Sequence, residues 1–391
     1  MRVQDDPPIH LTYCMNVHPG ETWPENFAAI REYAAAVRDK VFAILPARPF
    51  GLGLRLSAQA AEQISRPRAI AELKDYLRDS GMYVFTINGF PYGRFHDGPV
   101  KTDVYSPDWR EPARLKYTNT LADILAELLP EGVSGSISTV PGSYKEWVRD
   151  EQDAAVMARM MAQAALHLDA IRRRTGKEII LALEPEPDCC IETVEETVRF
   201  FEEVLDAAGD RAIIRRHVGV CFDTSHMAVE FEDLTRGLRR LLEAGVRVAK
   251  VHLSSALCLR PTAAALEQLG QFRDTVYLHQ VKVRSADGDV TSYPDLPEAL
   301  EAGARAPDRN KEWRVHFHVP LFFEAMGDLR STSDLFDDEF VKAIRSGATG
   351  HLEIETYTFG VLPEPLRPRD LTDGIAKEYE WVLERFFDLP C

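Results

Sequence analysis

The chain has 391 residues, 45% of them hydrophobic and 28% charged, with a formal charge of −16. That composition is ordinary for a globular protein, and the acidic balance leaves no basic stripe for nucleic acid or an anionic membrane surface. No apolar stretch reaches the roughly 18 residues of a membrane span, and Met1-Arg2-Val3-Gln4-Asp5-Asp6-Pro7-Pro8 lacks the apolar core of a signal peptide. The six cysteines, Cys14, Cys189, Cys190, Cys221, Cys258 and Cys391, form no CxxC pair. The vicinal Cys189-Cys190 cannot bridge without strain, so a reduced, cytoplasmic protein is expected. Cys14 and Cys221 sit within apolar runs and read as small core residues.

Taken in order, apolar runs and amphipathic stretches alternate. Leu11–Met15 is predicted as a strand, Pro24–Phe42 as a helix, Gly51–Leu56 as a strand and Ala58–Ser80 as a helix stopped by Gly81. Strand Val84–Asn88, helix Glu111–Leu129, strand Gly135–Thr139 and helix Asp150–Thr175, stopped by Gly176, follow. Then come strand Ile179–Glu184, helix Thr193–Ala208, strand Val218–Asp223, helix Leu234–Ala244 and strand Val248–His252. After a gap of about a hundred residues, helix Thr332–Ser346, strand His351–Glu355 and a last outer helix Asp370–Phe387 complete the series. Repeated βα units imply a parallel sheet, and eight strands close a barrel. The expected fold class is α/β, a (β/α)8 TIM barrel spanning residues 1–391 as a single domain. The gap holds an insertion, about 258–330, expected over the C-terminal face where barrel function resides. Within it, Tyr277–Val283 alternates as a strand, Ser285-Ala286-Asp287-Gly288-Asp289 reads as a hairpin turn, and Arg314–Pro320 as a further strand.

Four of the apolar runs end in a group that binds divalent metals: Glu184, Asp223, His252 and Glu355. Strands that deliver such groups at their C-terminal edges are what a metal centre at the mouth of a barrel needs. Three carboxylates and one imidazole suit a fairly hard divalent ion, Mn²⁺ or Mg²⁺, with Zn²⁺ as the alternative. Crowding these carboxylates without a cation would cost several kcal/mol. Glu186 and Glu353 lie two residues from Glu184 and Glu355 and compete for the same roles; Glu184 continues its strand and Glu355 lies nearer its strand end. His226, three residues after Asp223, is placed beside the ion as ligand or proton carrier. Tyr13, Asn16 and His18 after the first strand, with Arg55, Asn88 and Tyr92 after the second and third, are candidates to bind a hydroxylated or anionic substrate. His316 and His318 share one face of their strand, and His318 joins Glu186 and Glu353 among the substrate candidates; His279 has less support. No Walker loop, GxGxxG or Ser-His-Asp order is present, so no nucleotide cofactor is implied.

Several of these segments resemble the xylose-isomerase-like TIM barrels, which include sugar isomerases, ketose 3-epimerases and endonuclease IV. Leu183-Glu184-Pro185-Glu186-Pro187 is similar to the metal-binding strand end of the sugar isomerases, Phe222-Asp223-Thr224-Ser225-His226-Met227 to an epimerase segment, and Lys250-Val251-His252-Leu253-Ser254-Ser255 to a metal-histidine strand. The resemblance assigns metal binding to Glu184, Asp223, His252 and Glu355 and substrate contact to His226. Endonuclease IV carries further histidines on its second and third strands; here those strands end in Arg55 and Asn88, so a trinuclear phosphodiesterase is not expected.

A narrower resemblance, running nearly end to end, is to the EboE family of metabolite-traffic proteins. Leu11-Thr12-Tyr13-Cys14-Met15-Asn16-Val17-His18-Pro19-Gly20-Glu21, Phe85–Gly93, Gly135–Gly142 and Glu353–Thr358 carry it. It implies a place in a secondary-metabolite precursor pathway, with partner proteins from the same gene cluster. Two functions remain open. One is a metal-dependent isomerase or epimerase of a polyhydroxylated or cyclitol-like metabolite, with Glu184, Glu355 and His226 as the catalytic groups. The other is a metal-containing handover protein that performs no chemistry. Neither involves nucleic acid or insertion into a membrane.

Overall fold

Apolar runs with β-branched residues become buried strands when both faces are covered, and eight of them form the barrel. The computed structural model describes residues 1–96, 98–305, 308–364 and 366–389, so Cys391 lies outside the described residues. Strand β1 (Arg2–Gln4) pairs antiparallel with β2 (Ile9–Tyr13). The parallel set continues with β3 (Phe50–Arg55), β4 (Met82–Asn88), β5 (Gly135–Thr139), β6 (Ile179–Leu183), β7 (Val218–Asp223) and β8 (Val248–Leu253). After the inserted strands β9 (Ser255–Leu259), β10 (Val281–Arg284), β11 (Val290–Tyr293), β12 (Glu312–Val319), β13 (Ala325–Met326) and β14 (Leu329–Ser331), β15 (His351–Ile354) completes the barrel. The sheet order is β1-β2-β15-β8-β7-β6-β5-β4-β3, and a parallel bridge between Cys14 and Gly53 joins its two ends.

Helix ends follow local chemistry. Thr22 with Glu25 and Thr193 with Glu196 form reciprocal caps, and Asp150 caps the long helix Glu151–Thr175. Gly81 and Gly176 stop their helices at φ 66° and 75°, a conformation costly for other residues. The Ala58–Ser80 stretch is two helices, Ala58–Ile64 and Pro67–Ser80, because Pro67 lacks the amide a continuous helix requires. The Thr332–Ser346 stretch is helical as Asp338–Arg345, after a single short turn at Ser333–Leu335. None of the described helices is long and apolar enough to cross a membrane.

The barrel interior is polar along its length. Alternation along the strands turns Thr86, Ser136, Lys250, His252, His351 and Glu353 inward, all buried. Ser136 Oγ bonds both Thr86 Oγ1 and His351 Nδ1 at 2.9 Å, and Lys250 Nζ reaches Thr86 Oγ1 at 3.1 Å. Lys250 also pairs with Glu353.

The inserted strands make a six-stranded antiparallel sheet, β11-β10-β12-β9-β14-β13. It starts at Ser255, directly after β8, and its first hairpin turns at Ser285–Asp289, where Gly288 has φ 93°. Strand β10 begins at Val281, four residues after Tyr277, because the Tyr277 and His279 amides are spent on the Asp274 and Asp295 side chains. The pairing of β12 with β9 shifts register between Val315 and Val319, a bulge that contains His316 and His318. Bulges re-aim side chains, often beside functional sites.

Candidate metal centre

The four expected metal groups converge. One donor atom from each of Glu184, Asp223, His252 and Glu355 lies within 4.8 Å of the others, and all four residues are buried. Strand register explains this: Asp223 and Glu353 both pair with His252 across neighbouring strands. His252 Nδ1 lies 3.0 Å from Glu184 Oε1, 3.1 Å from Glu355 Oε2 and 3.5 Å from Asp223 Oδ2.

Three of the four groups are held from behind. Asp223 Oδ1 accepts from the Ser225 and His226 amides at 2.8 and 3.0 Å and from Ser254 Oγ at 2.7 Å. Glu355 Oε1 accepts from Asn16 and Asn88 at 2.9 Å each. His252 Nε2 lies 3.0 Å from Glu353 Oε2, which the Lys250 ammonium keeps ionised. Nε2 therefore donates to Glu353, and Nδ1 turns its lone pair toward the carboxylates, the orientation that metal-binding histidines adopt. Glu184 Oε2 and Asp223 Oδ2 are buried without a hydrogen-bond partner. Orphaned carboxylate oxygens facing a bare imidazole nitrogen, in a site of three carboxylates, fit a divalent cation.

The electrostatics agree. Burial raises the Asp223 carboxyl, but His226 and His318 outweigh it and hold it well below the usual carboxylate range. Burial pushes Glu355 up, and neighbouring Glu184 adds to that. Glu353 is opposed by burial, yet Lys250 and His252 bring it down to about 2. Burial, with Cys221, Glu355 and Glu184 acting against it, leaves His252 holding a proton far above its ordinary range when no cation is there to take its place. Cys221 also lies beside Glu184 and His252. Burial pushes its thiol up to about 12, so it packs as a neutral group.

A profile of the xylose isomerase-like TIM barrel family matches residues 52–260, more than half of the chain. The chain belongs to that family. Among solved structures, the IolI protein with a binding zinc atom aligns with a TM-score of 0.52 at 11% identity, covering 97% of this chain and 99% of that one. A xylose isomerase domain protein from Alicyclobacillus acidocaldarius subsp. acidocaldarius gives 0.50 at 14% identity, over 97% and 98%. The probable 3-DHS dehydratase AsbF of Bacillus anthracis gives 0.49 at 12% identity, over 96% and 98%. At such identities the likeness is one of fold. No curated protein matches the chain.

In this family member Glu184 and Glu355, two of the four candidate metal groups, line a cavity of about 60 Å³. Asn16, Asn88, Glu184, Glu186, His226 and Glu355 line it from the barrel side. Its walls are aromatic: Phe90, Phe95, Tyr105, Tyr277 and Tyr357, with Lys101 at one edge. Glu186 accepts from the Tyr105 hydroxyl at 2.8 Å, and burial raises its carboxyl well above the ordinary range. Sequence reasoning missed Lys101, Tyr105, Tyr277 and Tyr357 as cavity residues; Lys101 and Tyr105 lie on a single short turn, Lys101–Tyr105, and Tyr277 and Tyr357 lie outside the strands that carry the expected site. It also missed Lys250, although a lysine inside the run Val248–Leu253 is a signal that a buried anion waits opposite.

Several expected substrate residues lie elsewhere, and the expectation is corrected for each. Tyr13 faces the helix layer because strand alternation turns Thr12, not Tyr13, inward; its hydroxyl meets His18 Nε2 at 2.9 Å, and His18 stacks on Tyr33. Arg55 is committed to Glu21 at 3.1 Å and to the Gly20 and Gly93 carbonyls. Tyr92 packs edge-on against Tyr117. Glu353 lies behind His252, fully buried, instead of facing the cavity. His318 lies beneath the cavity, its Nδ1 2.7 Å from the Glu355 carbonyl. His279 bonds Asp274 and the His316 carbonyl within the inserted region.

Proposed function

We propose that this protein is a divalent-metal-dependent isomerase or epimerase of a small polyhydroxylated or cyclitol-like metabolite. The observation that carries the reading is the pair Glu184 and Glu355, which line one cavity and approach the same His252 nitrogen to 3.0 and 3.1 Å. Proton movement at a substrate carbon needs an acid and a base on a shared substrate. Asn16 and Asn88 fix the orientation of the Glu355 carboxyl, which suits it to exchange a proton with a substrate carbon. Glu184, its Oε2 free of hydrogen bonds, is the complementary base.

Glu184, Asp223, His252 and Glu355 would hold the ion, which when bound supplies a Lewis-acid grip on adjacent substrate oxygens. The Glu186–Tyr105 pair and His226 present polar atoms to substrate hydroxyls, and the aromatic walls exclude water. The zinc atom of the IolI structure supports a divalent metal on this fold. The EboE-like segments support a metabolite from a secondary-metabolite precursor pathway.

The test is a screen of metal-loaded protein against sugars and cyclitols in deuterated solvent, read by NMR. Deuterium incorporation at a carbon by the wild type, abolished in E355Q, is expected. Binding of a polyol without exchange would favour the handover role instead.

A further inference from the structure

Two side chains of the inserted region, Gln280 and Lys282, reach the segment that carries Glu184 and Glu186. We propose that Lys282 is a positioning residue: by clamping Asp188, Glu192 and Glu230 together it fixes where Glu184 and Glu186 point at the barrel mouth. The inference rests on the reading of that mouth as the reactive site and assigns part of its geometry to the insertion.

Lys282 Nζ lies 3.0 Å from Asp188 Oδ1, 3.3 Å from Glu192 Oε2 and 3.0 Å from Glu230 Oε1, with only 3% of its side chain exposed. Asp188 and Glu192 follow β6, and Glu230 follows the helix Thr224–Val229 that carries His226. The half-exposed Lys145 meets the same cluster from another side, 2.6 Å from Glu192 Oε1. Crowding three carboxylates at a buried spot is costly without a cation among them. The Lys282 ammonium therefore dictates their arrangement.

The segment passes that constraint on. Gln280 Nε2 donates to the Pro187 carbonyl at 2.9 Å, so consecutive residues are held, Pro187 by its backbone and Asp188 by its side chain. Asp188 has φ 63°, and its carbonyl accepts from the Lys145 amide at 2.8 Å. The Glu186 amide donates to the Ile191 carbonyl at 3.2 Å and the Cys189 amide to the Glu186 carbonyl at 3.1 Å, which closes residues 186–191 into one turn. Pro185 and Pro187 fix φ on either side of Glu186. Little slack is left between the anchor at Asp188 and the Glu184 carboxylate, and a shift at one reaches the other.

The same face of the sheet grips the helix of His226. Register sets Arg314 opposite Lys282, and Arg284 lies two residues on, so the three cations share a face. Arg314 Nη1 donates to the Ala228 carbonyl at 2.6 Å, and the Arg284 and Arg314 guanidiniums stand 4.2 and 4.4 Å from the centre of the Phe231 ring. Lys282 differs from both arginines in joining this helix to the segment after β6.

The variants K282M, close in shape but uncharged, and K282R test the assignment by calorimetric titration with Mn²⁺. Removing a positive charge would, by electrostatics alone, tighten binding of a cation. A purely structural role would leave the affinity of the folded protein unchanged. The proposal predicts the opposite sign: affinity falls about 10-fold in K282M, the lower end of what lost outer-shell support costs, and returns in K282R. Unchanged or tighter binding by K282M would overturn it. Should the wild type bind no Mn²⁺, the metal reading fails, and amide hydrogen exchange at Lys145, Glu186 and Cys189, whose amides bond across the turn, decides instead. Faster exchange there in K282M, with K282R like the wild type, is expected, and equal exchange would overturn the proposal. Should K282M not fold, D188N, which removes one arm of the clamp and tolerates the same φ, replaces it in the exchange measurement with the same two outcomes.

Discussion

Glu353 never reaches the cavity, yet it sets the chemistry of the residue that does. It binds His252 through Oε2 at 3.0 Å and neutralises Lys250, both fully buried. E353Q should therefore act twice. Divalent-ion affinity is expected to fall about 10- to 100-fold. The uncompensated Lys250 should destabilise the fold by about 3–5 kcal/mol. Titration calorimetry with Mn²⁺ and chemical denaturation read the two effects separately; unchanged ion affinity would refute the orienting role. Gly53 makes room for this carboxylate, since a Cβ there would come within 2.0 Å of Glu353 Oε1 and 2.9 Å of the Tyr13 carbonyl. G53A should thus reproduce the loss of ion affinity without touching a ligand. At this scale the sequence was only half readable. A two-residue period places Glu353 and Glu355 on one face but cannot rank their depth; Lys250 on the neighbouring strand ranks them. Tyr13 illustrates the opposite failure, one step out of phase with the inward face.

Elements matter because one residue often anchors a whole segment. Asp223 ends β7 and also caps the helix Thr224–Val229, accepting from the Ser225 and His226 amides, so it positions His226 as well as facing the ion site. D223N keeps a capping oxygen and should retain stability while losing the ion. D223A should lose both, at about 1–2 kcal/mol for the cap; equal stability in the two variants would contradict this. Half of the barrel strands were plainly legible because they are buried apolar runs that end in Glu184, Asp223, His252 or Glu355. The inserted sheet was less so. Strand β9 follows β8 after only Ser254, β13 and β14 are two and three residues long, and the β12 bulge has no composition of its own. The segment beside the cavity is tied to the inserted region by Lys101, whose Nζ meets Asp295 at 2.7 Å and whose amide, like that of Val100, bonds the Val276 carbonyl. K101A should speed hydrogen exchange at Val100 and Lys101 while leaving the barrel strands protected; unaltered exchange would show that the ion pair does not hold the loop.

Across the whole molecule, buried acids give stability a pH dependence that can be assigned. Glu378, on the last helix, accepts from Thr356 Oγ1 at 2.6 Å and the Leu321 amide at 3.1 Å, and burial raises its carboxyl to about 8. A raised carboxyl binds its proton more tightly in the folded state, so its contribution is complete below about 4.5, the unfolded value, and is lost as pH rises through about 8. The stability of the wild type relative to E378Q should fall by a few kcal/mol between those limits, by denaturant titration; a constant difference would refute the assignment. Everything proposed for the mouth of the barrel rests on one claim, that Glu184, Asp223, His252 and Glu355 together bind a divalent cation. Thermal unfolding of chelator-stripped protein with and without added Mn²⁺ tests it most directly. The account predicts a rise in the unfolding midpoint with Mn²⁺ concentration in the wild type, absent in D223N. A midpoint indifferent to Mn²⁺, Mg²⁺ and Zn²⁺ alike in the wild type would contradict it.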